Sequence, residues 1–287
     1  MNRLPAEKRA QIIHLLVEGN SLRATARMAD VSFNTTAKLF VDAATVCLDY
    51  QDKTLRNLPC KRLQLDEIWS FVYAKQKNVP ASKRGDPGVG DVWTWVAIDA
   101  DTKLVPSWRI GDRSSQTAFA FVSDLAERLK NRVQITTDGH RPYLEAIEGV
   151  FGGDVDYAML VKIYGQEPGG EKRYSPAECI GARKARIEGN PDLKHVSTSF
   201  AERQNLTMRM SIRRFTRLTN AFSKKVENHA LSVALHYMNY NFCRMHKTLR
   251  VTPAMAAGVT DRLWGISDIV KVLEDWEAAR CRVCFAL

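Results

Sequence analysis

The sequence has no apolar run approaching the roughly 18 residues that a membrane-crossing helix needs. It also has no low-complexity tract. Its composition, 45% apolar and 26% charged, is ordinary for a globular protein with enough chain to bury a core. The N-terminal segment MNRLPAEKRAQII lacks the apolar stretch and cleavage site of a secretory signal, so a cytoplasmic protein without a membrane partner is expected. Cysteine is sparse and scattered, at 47, 60, 179, 243, 281 and 284, and a reducing compartment would keep these as thiols. Only Cys281 and Cys284 form a CxxC. With no second pair or HxxxH nearby, the pattern falls short of the four ligands of a structural zinc site.

Acid is the other shortage. There are 32 Asp and Glu against 42 Lys and Arg, a formal charge of +10 with pI near 9.4. The excess is concentrated. Between Ser197 and Arg250 stand ten Lys and Arg, at 203, 209, 213, 214, 217, 224, 225, 244, 247 and 250, against Glu202 and Glu227 alone. Cations gathered in one stretch suit a polyanion, because neutralised phosphates release their counterions. A solvated helix face accounts for the charge equally well when charge is taken alone.

Residues 6–49 read as three helices. Ile12, Ile13, Leu15 and Leu16 form an apolar stripe that ends at Gly19-Asn20. Ser21 caps a short second helix, and after a turn at Asp30-Val31, Ser32 caps a third. Short helix, tight turn and longer helix is the helix-turn-helix pattern, in which the second member enters the DNA major groove by its first residues. Those residues are Phe33, Asn34, Thr35 and Lys38. Residues 1–50 are thus expected to form a helix-turn-helix domain and 51–61 a linker.

From Leu63 the periodicity changes to two. Leu63, Leu65, Trp69 and Phe71 share one face of a strand and Asp66 takes the other. After a polar loop over 75–90 come two further strands, a helix with Ser114 or Ser115 as its cap, a strand ending at Asp138, a second helix and a last strand. Three strands, a helix, then strand–helix–strand is the element order of the RNase H-like fold, an α/β architecture with a mixed sheet flanked by helices. It is expected over 62–219, with an irregular inserted loop at 166–196. Helical segments at 200–219, 224–245 and 267–280 follow, so 220–287 reads as a helical C-terminal extension.

Three acids stand where phosphoryl-transfer chemistry would need them. Two-metal catalysis requires carboxylates that converge from separate elements and hold divalent ions over the attacking and leaving oxygens. Hard oxygen donors suit Mg²⁺ or Mn²⁺. Asp66 lies mid-strand among apolar neighbours, where an unpaired charge is costly; an edge strand would instead turn it to solvent. Asp138 precedes Gly139, where a turn aspartate is equally at home. Glu202 has a local explanation of its own, since Ser199-Phe-Ala-Glu202 matches a capping box. Yet Arg209 lies seven residues on, two helical turns along nearly the same face, and Arg213 one turn further. A carboxylate backed by arginines suits a metal ion and a phosphate together.

The segments LDEIWSFV, TTDGHRPYL and AERQNLTMRMSIRRFTRLTNAFSKKVENH resemble transposases of the insertion sequence 1 family, members of the DDE superfamily. The stretch YNFCRMHKTLRVTPAMAAG is similar to the tail of the single-frame branch of that family. The resemblance implies that Asp66, Asp138 and Glu202 form a metal-binding triad for two Mg²⁺ or Mn²⁺ ions. It further implies that Arg209 is the basic residue trailing the Glu, and that Asn205 helps to position a transposon end. Arg203, Arg213, Arg214 and Lys224 lie in the same basic block and are expected at DNA, with His246 of the tail beside them. Some members carry an N-terminal zinc finger; here no cysteine precedes Cys47, so recognition of DNA ends would rest on the helix-turn-helix and the basic helices.

The expectation is therefore a transposase that cuts the ends of an insertion sequence and joins them to target DNA, associated with the nucleoid. Its partner is double-stranded DNA, and two ends processed together imply a homodimer or larger assembly. The rival is a non-catalytic DNA-binding protein, a domesticated transposase or a repressor, which would have no need of the three carboxylates.

Overall fold

The computed structural model describes residues 4–165, 179–216 and 219–284; the side chains of Tyr164 and of 281–284, and with them the CxxC thiols, lie outside it, as does Arg217. Serine caps start the helices as expected. Ser21 accepts from Ala24 N (3.1 Å) at α2 (Leu22–Met28), Ser32 from Thr35 N (3.0 Å) at α3 (Phe33–Thr54), and Ser114 from Thr117 N (3.3 Å) at α4 (Ser115–Arg128). α1 (Ala6–Val17) ends at Gly19, whose φ of +82° favours glycine. A Cβ there would stand 3.2 Å from the Met210 carbonyl oxygen.

Among the described residues, six strands form one mixed sheet, ordered β3-β2-β1-β4-β5-β6. β1 (Arg62–Val72), β2 (Gly90–Asp99) and β3 (Ser107–Gly111) are antiparallel neighbours; β4 (Val133–Thr137) and β5 (Val155–Tyr164) run parallel to β1. This is the mixed sheet expected of the RNase H-like order. The two faces of β1 bury different layers. Leu63 and Leu65, with Trp95, Ala97 and Ile135, pack on Phe121 and Leu125 of α4 and on Tyr143 and Ile147 of α5 (Pro142–Phe151). Ile68, with Val96 and Ile98, packs on Ala201 and Met208 of α6 (Ser199–Ser211) and on Val233 and Tyr237 of α7 (Val226–Met238). Complete burial of side chains of this size contributes about 1.5–3 kcal/mol each, so the two layers fix the register of β1.

Four expectations need correction. Residues 179–188, expected within an irregular loop, form β6 (Cys179–Glu188), paired antiparallel with β5. Its side chains are largely exposed on both faces, so no apolar alternation announced it; backbone pairing alone makes the strand, and Arg183, Lys184 and Arg186 protect its edge. The segment 200–219 is not one helix. α6 ends at Ser211 because Ile212 turns extended (φ −109°, ψ 108°), and Ile212 and Phe215 enter the core. The segment 224–245 leaves α-geometry after Met238 and passes through a π-helical turn, Asn239–Cys243.

The stretch 51–61, expected as a linker, is helical as far as Thr54, and Gln51 is buried with its amide on Cys47 and Ala234 carbonyls. α3 packs on α7, and Arg9 of α1 forms a two-pronged ion pair with Glu277 of α9 (Ile266–Cys284) at 3.0 and 3.2 Å. The N-terminal helices thus share a core with the C-terminal ones. α8 (Pro253–Ala256) is a single turn capped by Thr252. No described helix is long and apolar enough to cross a membrane.

Candidate active site

Asp66 lies on β1, a central strand between β2 and β4, so it is no edge acid turned to solvent. β4 runs parallel beside it with Gln64 opposite Thr136, which brings Asp138, just past the end of β4, level with Asp66. Glu202 comes from α6, which crosses that face of the sheet. Gln64 anchors the start of α6, its Oε1 accepting from Phe200 N (2.8 Å) and Ala201 N (3.3 Å). All three acids line one cavity of about 720 Å³, together with Asn205 and Arg209.

Each Asp66 oxygen is oriented. Oδ1 accepts from Glu67 N at 2.8 Å and Oδ2 from Asn205 Nδ2 at 2.8 Å. Burial first, then the charges of Asp138 and Glu202, push the Asp66 pKa up to about 7 against the hydrogen bond from Glu67 N and the pull of Lys162. Asp138 Oδ1 accepts from His140 N at 2.9 Å, closing the turn after β4.

Glu202 is not the acid of a capping box. Ser199 is already inside α6, and Thr198 occupies the cap position without a side-chain bond to the backbone. The Glu202 carboxylate instead accepts from Lys162 Nζ (2.5 Å) and from the Thr198 hydroxyl (2.6 Å). This removes the local explanation of the residue.

A fourth acid was missed. Oxygens of Asp66, Glu67 and Asp138 all lie within 4.8 Å of one another, close enough to share a metal ion, whereas Glu202 stands outside that cluster on the same cavity. The Glu67 side chain is 1% exposed, with Arg113 Nη2 and His140 Nε2 each 3.5 Å away, and its Oε1 has no hydrogen bond. Burial and the Asp138 charge push its pKa up to about 8. Strand alternation hid it, because Glu67 leaves the opposite side of β1, toward Trp95 and Tyr143. The signal was the Asp66-Glu67 pair itself, two adjacent acids in a strand otherwise rich in apolar residues. Trp93 and Trp95 also do more than fill the core. The Arg113 guanidinium lies 4.6 Å over the Trp93 ring, and Trp95 Nε1 holds the neighbouring Asp112 carbonyl at 3.0 Å.

The oxygen-rich donor set, two aspartates brought together by adjacent strands and a buried Glu67 oxygen without a hydrogen bond, fits a hard divalent cation.

The remaining candidates are dispersed. Asn34 and Lys38 are exposed at the start of α3, with Thr35 half-buried, and Lys38 is ion-paired with Asp42. Arg23 lies over the Phe33 ring. Arg213 and Lys224 are exposed, while Arg214 is held over Phe40 of α3 and bonded to Ser223 (2.8 Å), and burial lowers its pKa to about 10. Arg203 and His246 line a separate cavity on the far side of α6.

No family model and no curated protein matches this chain. Among solved structures it is similar to the Mos1 transposase paired-end complex with left transposon end, at 12% identity and a TM-score of 0.23 over 55% of this chain and 60% of that one. It is similar to the Mos1 strand transfer complex at 12% identity and a TM-score of 0.26, over 82% and 78%. The third is the piggyBac transposase synaptic complex with hairpin DNA, at 10% identity and a TM-score of 0.42 over 95% and 71%. The chain spans 60% of the length of the first of these. Function has to be read from the residues of the site.

Proposed function

We propose that this protein is a DDE transposase of the insertion sequence 1 type, which cuts the ends of a mobile element and joins them to target DNA. The observation that carries the reading is the cavity shared by Asp66, Asp138 and Glu202, three acids delivered by a central strand, its parallel neighbour and a crossing helix. Asn205 and Arg209 on that helix belong to the same cavity.

In this reading Asp66, Asp138 and Glu202 hold the divalent ions, Mg²⁺ or Mn²⁺, with Glu67 beside them. Such ions supply Lewis acidity and lower the pKa of bound water. The chain's own residues do the positioning. Asn205 fixes the direction of Asp66, and Thr198 and Lys162 hold Glu202 at the wall. Arg209 and Lys162 present positive charge to a scissile phosphate. Water attacks that phosphodiester and frees a 3′-hydroxyl, which then attacks a phosphodiester of target DNA. One P–O bond forms as another breaks, so no high-energy cofactor is consumed.

The exposed first turn of α3, with Asn34, Thr35 and Lys38, is the part suited to the major groove of the terminal repeats. Arg203, Arg213, Arg214, Lys224 and His246 add phosphate contacts along the basic C-terminal half. Paired processing of two ends calls for a dimer or larger assembly on DNA, at the nucleoid. The test is strand cleavage of a duplex carrying the inverted repeats that flank the gene. Cleavage should require Mg²⁺ or Mn²⁺ and leave 3′-hydroxyl ends. A protein that binds the repeats tightly but never nicks them with either ion would be a DNA-binding protein only.

A further inference from the structure

Helix α6 presents different residues to two cavities. Glu202, Asn205 and Arg209 look into the carboxylate cavity. Phe200, Arg203 and Gln204 line another, of about 260 Å³, bounded by Lys103 of the β2–β3 turn and by Tyr240, Arg244, His246 and Lys247.

The charged and titratable groups lining this second cavity are Lys103, Arg203, Tyr240, Arg244, His246 and Lys247, and no carboxylate lines it among the described residues. The cations are crowded. Lys103 is 9% exposed, in left-handed backbone (φ 61°), with its Nζ 3.4 Å from the Phe200 ring centroid. Burial lowers the His246 pKa, and Lys103 and Arg244 lower it further. Asp99 and Asp101 lie behind Lys103, but Asp101 is engaged by Arg62 and Asp99 by the Thr102 hydroxyl (2.6 Å). The arrangement is rigid. The Tyr240 hydroxyl donates to the Lys103 carbonyl (3.0 Å), and Arg244 N bonds Asn239 O (2.8 Å) to close the π-helical turn. Turns of that kind recur at functional sites.

An independent observation points the same way. Gln204 is 2% exposed, and its Nε2 has no hydrogen-bond partner in the structure. The Tyr237 hydroxyl beside it donates to Met208 Sδ (3.1 Å) and offers the amide only a poorly aligned contact. A buried donor without a well-formed bond, on a cavity walled by cations, suits an anion with strong acceptor oxygens.

We propose that this cavity binds a backbone phosphate of duplex DNA, on the far side of α6 from the carboxylate cavity. The inference rests on the DNA-acting reading above and gives α6 a phosphate site on each side.

The test uses the full chain in chelator, with two variants: Arg244→Gln combined with Lys247→Gln, both exposed positions, and Gln204→Leu. Affinity for a labelled duplex is measured by fluorescence anisotropy across a salt series, and inorganic phosphate is titrated calorimetrically. The double variant should make the slope of log K against log salt less negative by about one to two, equally in an Asp138→Asn background, and should lose phosphate binding. Gln204→Leu should weaken both ligands severalfold without lowering the melting temperature; a merely structural Gln204 would change stability and leave the slope alone. An unchanged slope overturns the proposal. So does phosphate binding lost with the DNA slope intact, which would make the ligand a free phosphate compound. If the wild-type protein binds no duplex, the DNA reading fails, while the phosphate titration still decides whether the cavity is an anion site.

Discussion

Asn205 Nδ2 donates to Asp66 Oδ2 at 2.8 Å, tying the central strand of the sheet to α6 on the carboxylate cavity. Without it, Asp66 keeps only the Glu67 N–H to direct its oxygens. Asn205→Ala should therefore leave the fold intact and loosen the site. Losing a partner that orients a metal ligand typically costs about 10–100-fold in metal affinity or activity. The check is cleavage rate against Mg²⁺ concentration, in which the variant curve should move to higher metal.

Divalent cation should stabilise the protein, because Asp66, Glu67 and Asp138 repel one another at close range. Mg²⁺ or Mn²⁺ is expected to raise the melting temperature, as any ligand of the native state does. Asp66→Asn should abolish the rise. Glu67→Gln should raise the melting temperature in chelator, by about 1 kcal/mol or a few degrees at this chain length, and shrink the metal-induced increment. Calorimetry with and without chelator checks both directions.

Acid sensitivity should come from buried histidines. His229 is fully buried between Ser70 (3.0 Å) and Ser223 (3.2 Å), and burial, then Arg214, lowers its pKa to about 3. The unfolded chain takes up that proton near the ordinary value of 6.5. Its stabilising contribution is therefore complete above pH 6.5 and is lost progressively as pH falls from there toward 3. His236, also lowered to about 3, adds a second proton. Stability measured from about pH 7 to 4.5 should decline, and His229→Asn should reduce the slope by about one proton.

Much of this arrangement could be read from the residues. Alternation in LQLDEIWSFV separated Asp66 from Leu63 and Leu65, and the sheet keeps that separation because each face of β1 meets a different helix layer. The serine caps at 21, 32 and 114 were legible because a cap is a local bond. What stayed hidden depended on distant partners. β6 has no buried face and exists through pairing with β5. Glu67 was passed over because alternation assigns it to the opposite layer, where only tertiary packing brings Arg113 and His140 to it. The capping box at Ser199 was a false local match, since Gln64 from β1 anchors that helix start instead.

The N-terminal unit should read sequence. Asn34→Ala with Lys38→Ala should reduce discrimination between terminal-repeat and scrambled duplex, each good base contact contributing about 1–3 kcal/mol. Because the helices share a core with the C-terminal ones, the full chain is the proper sample. Competition binding checks this; equal preference before and after substitution would pass the groove-reading role to another element.

Glu202 decides the account. Its carboxylate is held by Lys162 and Thr198 on the cavity of Asp66 and Asp138, and it caps no helix, so a neutral isostere should cost little stability. Ser199→Ala, inside the helix, should be close to neutral as well. The direct measurement is strand cleavage of terminal-repeat DNA by Glu202→Gln in Mg²⁺, beside its melting temperature and DNA affinity. The account predicts cleavage reduced by orders of magnitude with folding and binding retained. A Glu202→Gln protein that cuts at the wild-type rate would contradict it.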